Sequence, residues 1–391
     1  MNLRLTTGVE IPNGDFAFKS DGAGRTGPPD GWTKSAQWVT DENAGRVFAS
    51  WEPLQRYSSL ADAPVYGSGR ALRIALQKEA VSSGTRYLES PLSPAGQVLG
   101  ADQVQQGNDF KYRLRYLWHG EADVAPSDGD WYVEVLATNA ARTYTVTIAS
   151  AINIYAADWD LGAWTKGWMW RESPLVTLVS TAWGSNVPDH LLLRLHPKVK
   201  STGPTGSFLS GLFGAFVLET LSPAETGYAV GAALLQNPFV GYWELSRPMK
   251  WREVRPAQYV SLSRASRLPS GRRRTLDVSG GVAKRTFSYG VDLLTPTDRE
   301  KLWRLWRLNK GYPSDSGTSL GKPLPLVLMP GTPDLLSEFA QVPQVTDTYP
   351  PAAYYVDFAD DEFPLQEHSG AFQPGAASAQ RYSGVLRFEE R

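Results

Sequence analysis

The chain has 391 residues, 42% of them hydrophobic and 20% charged, with a formal net charge of −1. That length holds more than one hydrophobic core, and the balance is that of a soluble globular protein rather than a disordered or fibrous one. With no cysteine, disulfides and thiolate metal sites are excluded, and no apolar run approaches the ~20 residues of a bilayer-spanning helix.

The 36 Gly and 28 Pro favour a turn-rich β protein. Tryptophan, at 14 residues, points to extensive packing surfaces, sugar-stacking platforms, or both. The absence of cysteine fits synthesis in a reducing cytoplasm followed by assembly and is also compatible with export, and residues 1–10 show no apolar stretch of a secretory signal.

Asn13-Gly14 supplies a tight turn, with Phe16 and Trp32 as apolar anchors on either side. Gly67–Leu76 reads as a turn entering a strand, and Tyr87–Leu92 as a short strand. The clearest strand is Phe110–Trp118. Its Phe110, Tyr112, Leu114, Tyr116 and Trp118 alternate with Lys111, Arg113 and Arg115, which predicts one buried and one wet face. Further strands are expected at Trp131–Leu136, Thr143–Ile148, His190–Leu195 and Gly214–Thr220. Short strands between Gly, Pro, Asn and Asp clusters make an antiparallel sandwich or jelly roll over 1–220.

Within that domain, Ile11-Pro-Asn-Gly-Asp-Phe16 and Pro29-Asp-Gly-Trp32 resemble the opening of jelly-roll carbohydrate-binding modules and galactose-binding-like domains. The resemblance implies a loop face able to contact glycan. It also implies a structural calcium held near Asn13 and Asp15 with an acid from the last strand. This chain departs from that pattern: Ala17 stands where an acid is common, and the last strand offers only Glu219 at its end. No metal is therefore expected.

Trp159, Trp164, Trp168, Trp170 and Trp183 crowd one loop-rich region. Exposed, they stack on sugar rings, as the resemblance implies. Buried, they close one end of the sandwich or meet a neighbouring subunit, the reading that tryptophan's enrichment in interface cores favours.

A linker is expected over 221–238 and a second domain over 239–391. Its helix, about 296–309, has Thr295 as N-cap, Pro296 at the first position and Asp298 completing a Thr-x-x-Asp box. Leu302, Trp303, Leu305, Trp306 and Leu308 interleave with Arg299, Lys301, Arg304 and Arg307, and Lys310-Gly311 stops the run. Such a helix packs its apolar stripe across a sheet. Strand-like runs follow at Leu324–Leu328, Tyr354–Phe358 and Tyr382–Arg391.

A basic strand region from Arg264 to Arg285, a Pro-capped helix with two tryptophans, and closing strands form an order that carries a second resemblance. From Trp251 onward the chain resembles the core of tail-tube-like and distal tail (tail-tip) proteins of long-tailed bacteriophages. The fold class that follows is mainly β: an N-terminal jelly roll plus a tail-tube-like β domain with one packed amphipathic helix. The implied role is a minor or distal tail protein in the virion. It forms a symmetric ring with itself, joins other tail proteins, and displays the jelly roll towards host-surface glycan.

Charge is split along this domain. Arg247–Lys310 holds sixteen Lys or Arg against five acids, and Asp334–Arg391 holds ten acids against three basic residues. Either these are solvated faces of one domain, or they are complementary faces of neighbouring subunits, with Arg272, Arg273 and Arg274 opposite Asp360, Asp361 and Glu362. Nucleic-acid recognition is disfavoured, because the arginine cluster lacks interleaved aromatic residues.

Catalysis and cofactors find no motif. The four histidines have no H-x-x-x-H spacing. Gly317-Thr-Ser-Leu-Gly321 follows a helix and precedes Lys322-Pro323, where a nucleophile elbow needs a strand and then a helix. Acid pairs such as Asp158/Asp160 and Asp360/Asp361 read as solvated neighbours. A non-enzymatic role without cofactor is expected, and the alternative is a free carbohydrate-binding or carbohydrate-active protein.

Overall fold

The computed structural model describes residues 3–17, 19–20, 25–53, 70–77, 85–95, 110–124, 126–161, 168–178, 188–198, 208–221, 242–245, 255–260, 263–267, 273–277, 284–311, 323–329, 353–367 and 380–391. The fold is mainly β and mostly antiparallel, as composition predicts. Two compact units divide it: one of Gly8–Gly227 with Asp334–Ala353, and a second made of Met1–Thr7, Tyr228–Pro333 and Tyr354–Arg391. Residues 3–7 thus group with the C-terminal unit. The expected linker lies outside the described residues, apart from Leu221.

Strand β1 (Leu3–Val9) opens the chain. The N-terminal unit then carries β2 (Thr33–Lys34), α1 (Ala36–Asn43), β3 (Val47–Pro53), β4 (Arg70–Gln77), β5 (Leu88–Glu89), β6 (Phe110–Ala122) and β7 (Trp131–Thr138). It continues with β8 (Thr145–Ile154), β9 (Trp159–Asp160), β10 (Met169–Glu172), β11 (Val176–Leu178), β12 (His190–Pro197) and β13 (Phe208–Leu221). One sheet runs β3-β4-β13-β6, with β9, β10 and β11 side by side along the far edge of β6; the other runs β2-β5-β12-β7-β8.

The two sheets form an antiparallel sandwich curled as a jelly roll. Leu72, Ile74, Tyr116, Trp118, Phe213 and Phe216 of one sheet, and Trp131, Val133, Leu193 and Leu195 of the other, are all buried. Trp118 meets Trp131 edge-on with ring centroids 6.3 Å apart.

Strand β13 reaches further back than the expected start at Gly214, because Gly214 is a bulge residue between Phe213 and Ala215 in the pairing with β6. Residues three apart on a regular strand point to opposite faces. The extra residue puts Phe213 and Phe216 on the same face, stacked 5.2 Å apart. The expected strand over Tyr87–Leu92 shortens to β5, since Pro91 has no N–H to continue the ladder. Helix α1 was not expected. Ser35 caps it by accepting from the Trp38 N–H, and its Asp41 carboxylate accepts from buried Arg86 at 2.7 Å.

The C-terminal unit contains β14 (Tyr242–Leu245), β15 (Arg255–Val260), β16 (Ser263–Arg267), β17 (Arg273–Asp277), β18 (Lys284–Leu294) and α2 (Pro296–Lys310). After the helix come β19 (Leu326–Met329), β20 (Tyr354–Phe358), β21 (Leu365–Glu367) and β22 (Tyr382–Glu390). Pairing runs β14-β1-β19-β20-β22-β18-β15, with β21 on the same edge of β22 as β20, along Tyr382–Gly384.

Helix α2 has both halves of the capping box: Asp298 N–H donates to Thr295 Oγ1, and Thr295 N–H donates to Asp298 Oδ2, each at 3.2 Å. Gly311 ends it in the left-handed region at φ 71°. Leu302, Leu305 and Trp306 enter a core with Phe287, Tyr289, Leu328, Val356 and Phe388, joined by Leu3 and Leu5 from the chain start. Asn309 fastens the helix end to β20. Its amide donates to Leu324 O and to the Asp357 carboxylate, and its oxygen accepts from Phe358 N–H.

Candidate functional site

The outward face of the β6 sheet carries a row of buried polar residues. Residues opposite one another on paired strands share a face. On β6, Tyr112, Leu114, Tyr116, Trp118 and Gly120 point into the sandwich, so Arg113, Arg115, Leu117, His119 and Glu121 point away. Met169 is opposite Trp118, which sets Trp168 beside His119 and Trp170 opposite Leu117 on the outward face. The ring centroids of Trp168 and His119 are 5.6 Å apart. Trp159 goes the other way: it pairs with Gly120 and meets Trp118 and Trp131 nearly at right angles, at 5.2 and 5.1 Å.

The tryptophan-rich segment is therefore divided by its own sheet, with Trp159 in the core and Trp168 and Trp170 on the far face. All three rings are buried, Trp168 the least at 8% exposed. Stacking on a sugar needs an open ring face, and these three do not present one. Trp164 and Trp183 lie outside the described residues.

Polar groups continue along this face. His119 Nε2 lies 3.2 Å from Glu121 Oε1. Asp160 is opposite Glu121 on β9, and Ser210 is opposite it on β13, accepting from Arg73 Nε at 2.7 Å. Further along β6, Arg115 reaches Glu172 at 2.7 Å and Glu219 at 3.7 Å. Arg115 is only 2% exposed, which corrects the expectation of a wet face there. A buried cation is tolerable because two carboxylates flank it. His119, Glu121, Asp160 and Ser210 are all buried, so the row is a packed polar layer held by its own contacts.

The Asn13 turn is occupied by protein contacts. Asn13 Nδ2 donates to Asp30 O at 2.9 Å, and its carbonyl accepts from Trp32 Nε1 at 3.2 Å. Asp15 Oδ1 accepts from Ala17 N–H, and Phe16 O from Trp51 Nε1 at 2.6 Å. Glu219 belongs to the Arg115 row. Among the described residues no cluster of three or more His or acidic groups is placed to hold a metal.

Of the acid pairs, Asp158 is held by Arg171 and Asp160 is buried. Gly317–Gly321 lies outside the described residues. Sequence reasoning also missed a ring stack on the outward face of the second sheet. His196 lies parallel to Tyr132 at 4.5 Å and near Tyr87 at 5.4 Å, with Glu134 Oε2 2.6 Å from its Nε2. The period-two spacing of Tyr132/Glu134 and Arg194/His196 was the available signal.

In the C-terminal unit, Arg273 is opposite Arg267 and Arg274 opposite Ser266 on the β16–β17 ribbon, which pairs only with itself among the described strands. Arg272 lies outside the described residues. Asp360 pairs with Arg387 at 3.1 Å and Asp361 with Lys310 at 3.2 Å. Asp357 pairs with Arg391 at 2.9 Å, Glu390 with Arg285 at 3.0 Å, and Glu362 is exposed. Much of the acidic excess is thus answered within the unit itself.

No protein-family profile matches the chain. No curated protein matches it either. Among solved structures, it is similar to the CBM22-1 xylan-binding domain from Paenibacillus barcinonensis Xyn10C, at 12% identity over 55% of this chain and 92% of that one, with a TM-score of 0.25. A second is the Clostridium thermocellum Xyn10B CBM22-1–GH10 modules complexed with xylohexaose, at 11% identity, 59% and 31% coverage, and a TM-score of 0.26. A third is botulinum neurotoxin type C, whose cell entry depends on interaction with two ganglioside molecules, at 10% identity, 88% and 89% coverage, and a TM-score of 0.22. All three likenesses are weak.

Proposed function

We propose that the chain is a structural component of a phage or phage-like tail: a minor or distal tail protein. In this reading it is made in the host cytoplasm and resides in the virion. It forms a symmetric ring with itself and joins other tail proteins through the C-terminal unit. The N-terminal sandwich is displayed outside and contacts host-surface glycan, without catalysis.

The observation that carries the reading is the build of the C-terminal unit. A basic ribbon, the long strand β18, the capped and tryptophan-bearing α2 and the closing strands β19, β20 and β22 follow one another in the order that resembles distal tail proteins. The ribbon and helix supports are local, and the ring itself is the inference. Mass spectrometry of purified particles tests it, with the protein expected in the tail fraction. Its absence from particles, with the free protein abundant in the same lysate, overturns the reading.

A second reading, a free carbohydrate-binding or carbohydrate-active protein, is supported by the jelly-roll sandwich of the N-terminal unit and by the resemblance of Ile11–Phe16 and Pro29–Trp32 to carbohydrate-binding modules. A glycan array separates the two. Glycan binding by the parent, together with absence from particles, supports the second reading. Release of reducing sugar, abolished by a single acid substitution, overturns the non-catalytic role.

A further inference from the structure

The start of α2 holds a cation inside a ring of aromatic side chains. The Arg299 guanidinium lies 5.2 Å from the Tyr382 ring centroid, 5.8 Å from Phe363 and 6.0 Å from Trp303. The three rings come from β22, the segment before β21, and α2, and they brace one another. Phe363 meets Trp303 edge-on at 4.9 Å, and Trp303 stacks on Trp306 at 5.2 Å. Rings on several sides fix the plane of a guanidinium and leave its N–H edge to bind an anion. Among the described residues, the ion pair of Arg299 is a loose one with its neighbour Glu300 at 3.9 Å, and the side chain is 37% exposed.

Next to this cage stands Leu293, 44% exposed and in the left-handed region at φ 55°. It sits in the bulge between Val291 and Leu294, and its N–H donates to Ser383 Oγ, one residue beyond Tyr382. A non-glycine residue at positive φ is costly, and such outliers gather at functional sites and bulges. Here the bulge projects an apolar side chain beside a pre-oriented arginine. Trp, Tyr and Arg anchors around an apolar contact are the make-up of a protein–protein hot spot. A sugar is a poorer occupant, since Trp303 has Trp306 stacked on it and Arg299 over its ring.

An exposed acid lies next to a cage residue in the chain. Glu362 is exposed and directly precedes Phe363, whose ring lies 5.8 Å from the Arg299 guanidinium, so the chain brings a carboxylate-bearing residue next to the cage wall. A surface holding both halves of a pair is self-complementary about a two-fold axis. We propose that a second copy of this chain docks here, the Arg299 of each copy receiving the Glu362 carboxylate of the other, with Leu293 packed between the two cages. The inference goes beyond the ring of the proposed function: a two-fold contact closes as a dimer, whereas a ring is built from a separate head-to-tail surface.

Sedimentation velocity of the full chain over a concentration series tests it. The parent is expected to self-associate reversibly. Leu293→Asn, which tolerates the left-handed backbone, and Arg299→Glu are each expected to weaken association by at least about tenfold. Combining Arg299→Glu with Glu362→Arg is expected to restore it. Association of parental strength in both single variants overturns this surface while leaving self-assembly standing. A parent that stays monomeric at every concentration overturns the two-fold surface, while the tail reading is decided separately by the presence of the protein in purified particles. A charge swap no stronger than Arg299→Glu alone overturns the Arg299–Glu362 pairing.

Discussion

The indole of Trp118 closes over Gly211: a Cβ added at Gly211 would lie 2.5 Å from Cη2 of Trp118 and 2.6 Å from Cζ3 of Trp131. Gly211 is opposite Gly120, where a Cβ would lie 2.7 Å from Trp118 and 2.9 Å from Trp159. Two paired glycines leave the volume in which three indoles meet. Gly211→Ala must displace a buried ring, so a loss of about 1–3 kcal/mol is expected in chemical denaturation. An unchanged midpoint would show that the indoles have room to move.

Leu114 and Arg115 are neighbours on β6 that face opposite ways, and both are buried. Leu114→Ala empties a core position and should cost about 2–5 kcal/mol. Arg115→Ala leaves the fully buried Glu219 without its cation and should cost about 3–5 kcal/mol. Arg113, whose approach to Glu172 is longer at 3.7 Å, should matter less. Urea melts of the three variants rank them, and Arg115→Ala falling below Arg113→Ala would refute the buried network.

Burial pushes the phenols of Tyr112, Tyr116 and Tyr289 well above their ordinary value of 10, with Asp158 adding to the effect on Tyr116. Above that pH the unfolded chain has lost protons that the folded chain keeps. Stability is therefore undiminished by these groups below about pH 10 and falls as pH rises beyond it. Tyrosinate absorbance from these three should appear only with unfolding. Ionisation in the folded state near pH 10 would contradict their burial.

Thr295→Ala removes one half of the α2 capping box and should lower stability by about 0.5–2 kcal/mol. Asp298→Ala should cost more, since Asp298 also accepts from the indole of Trp243 at 3.3 Å. Thermal melts decide the order. Equal losses would mean that the Trp243 contact contributes nothing.

Local signals by themselves determined a good part of this protein. The alternation in 110–118 named the buried Tyr112, Leu114, Tyr116 and Trp118, and the Thr295, Pro296 and Asp298 spacing placed α2, because strand periodicity and helix caps involve residues only a few positions apart. Tertiary structure alone decided what crosses strands. Whether Arg115 meets water or two carboxylates depends on β10 and β13, which lie far from it in sequence. Which way Trp159, Trp168 and Trp170 face depends on the register of β9 and β10 against β6, where a shift of one residue reverses every side chain. The place of Leu5, opposite both Trp243 and Leu328, joins chain segments more than two hundred residues apart, and no local pattern encodes that pairing.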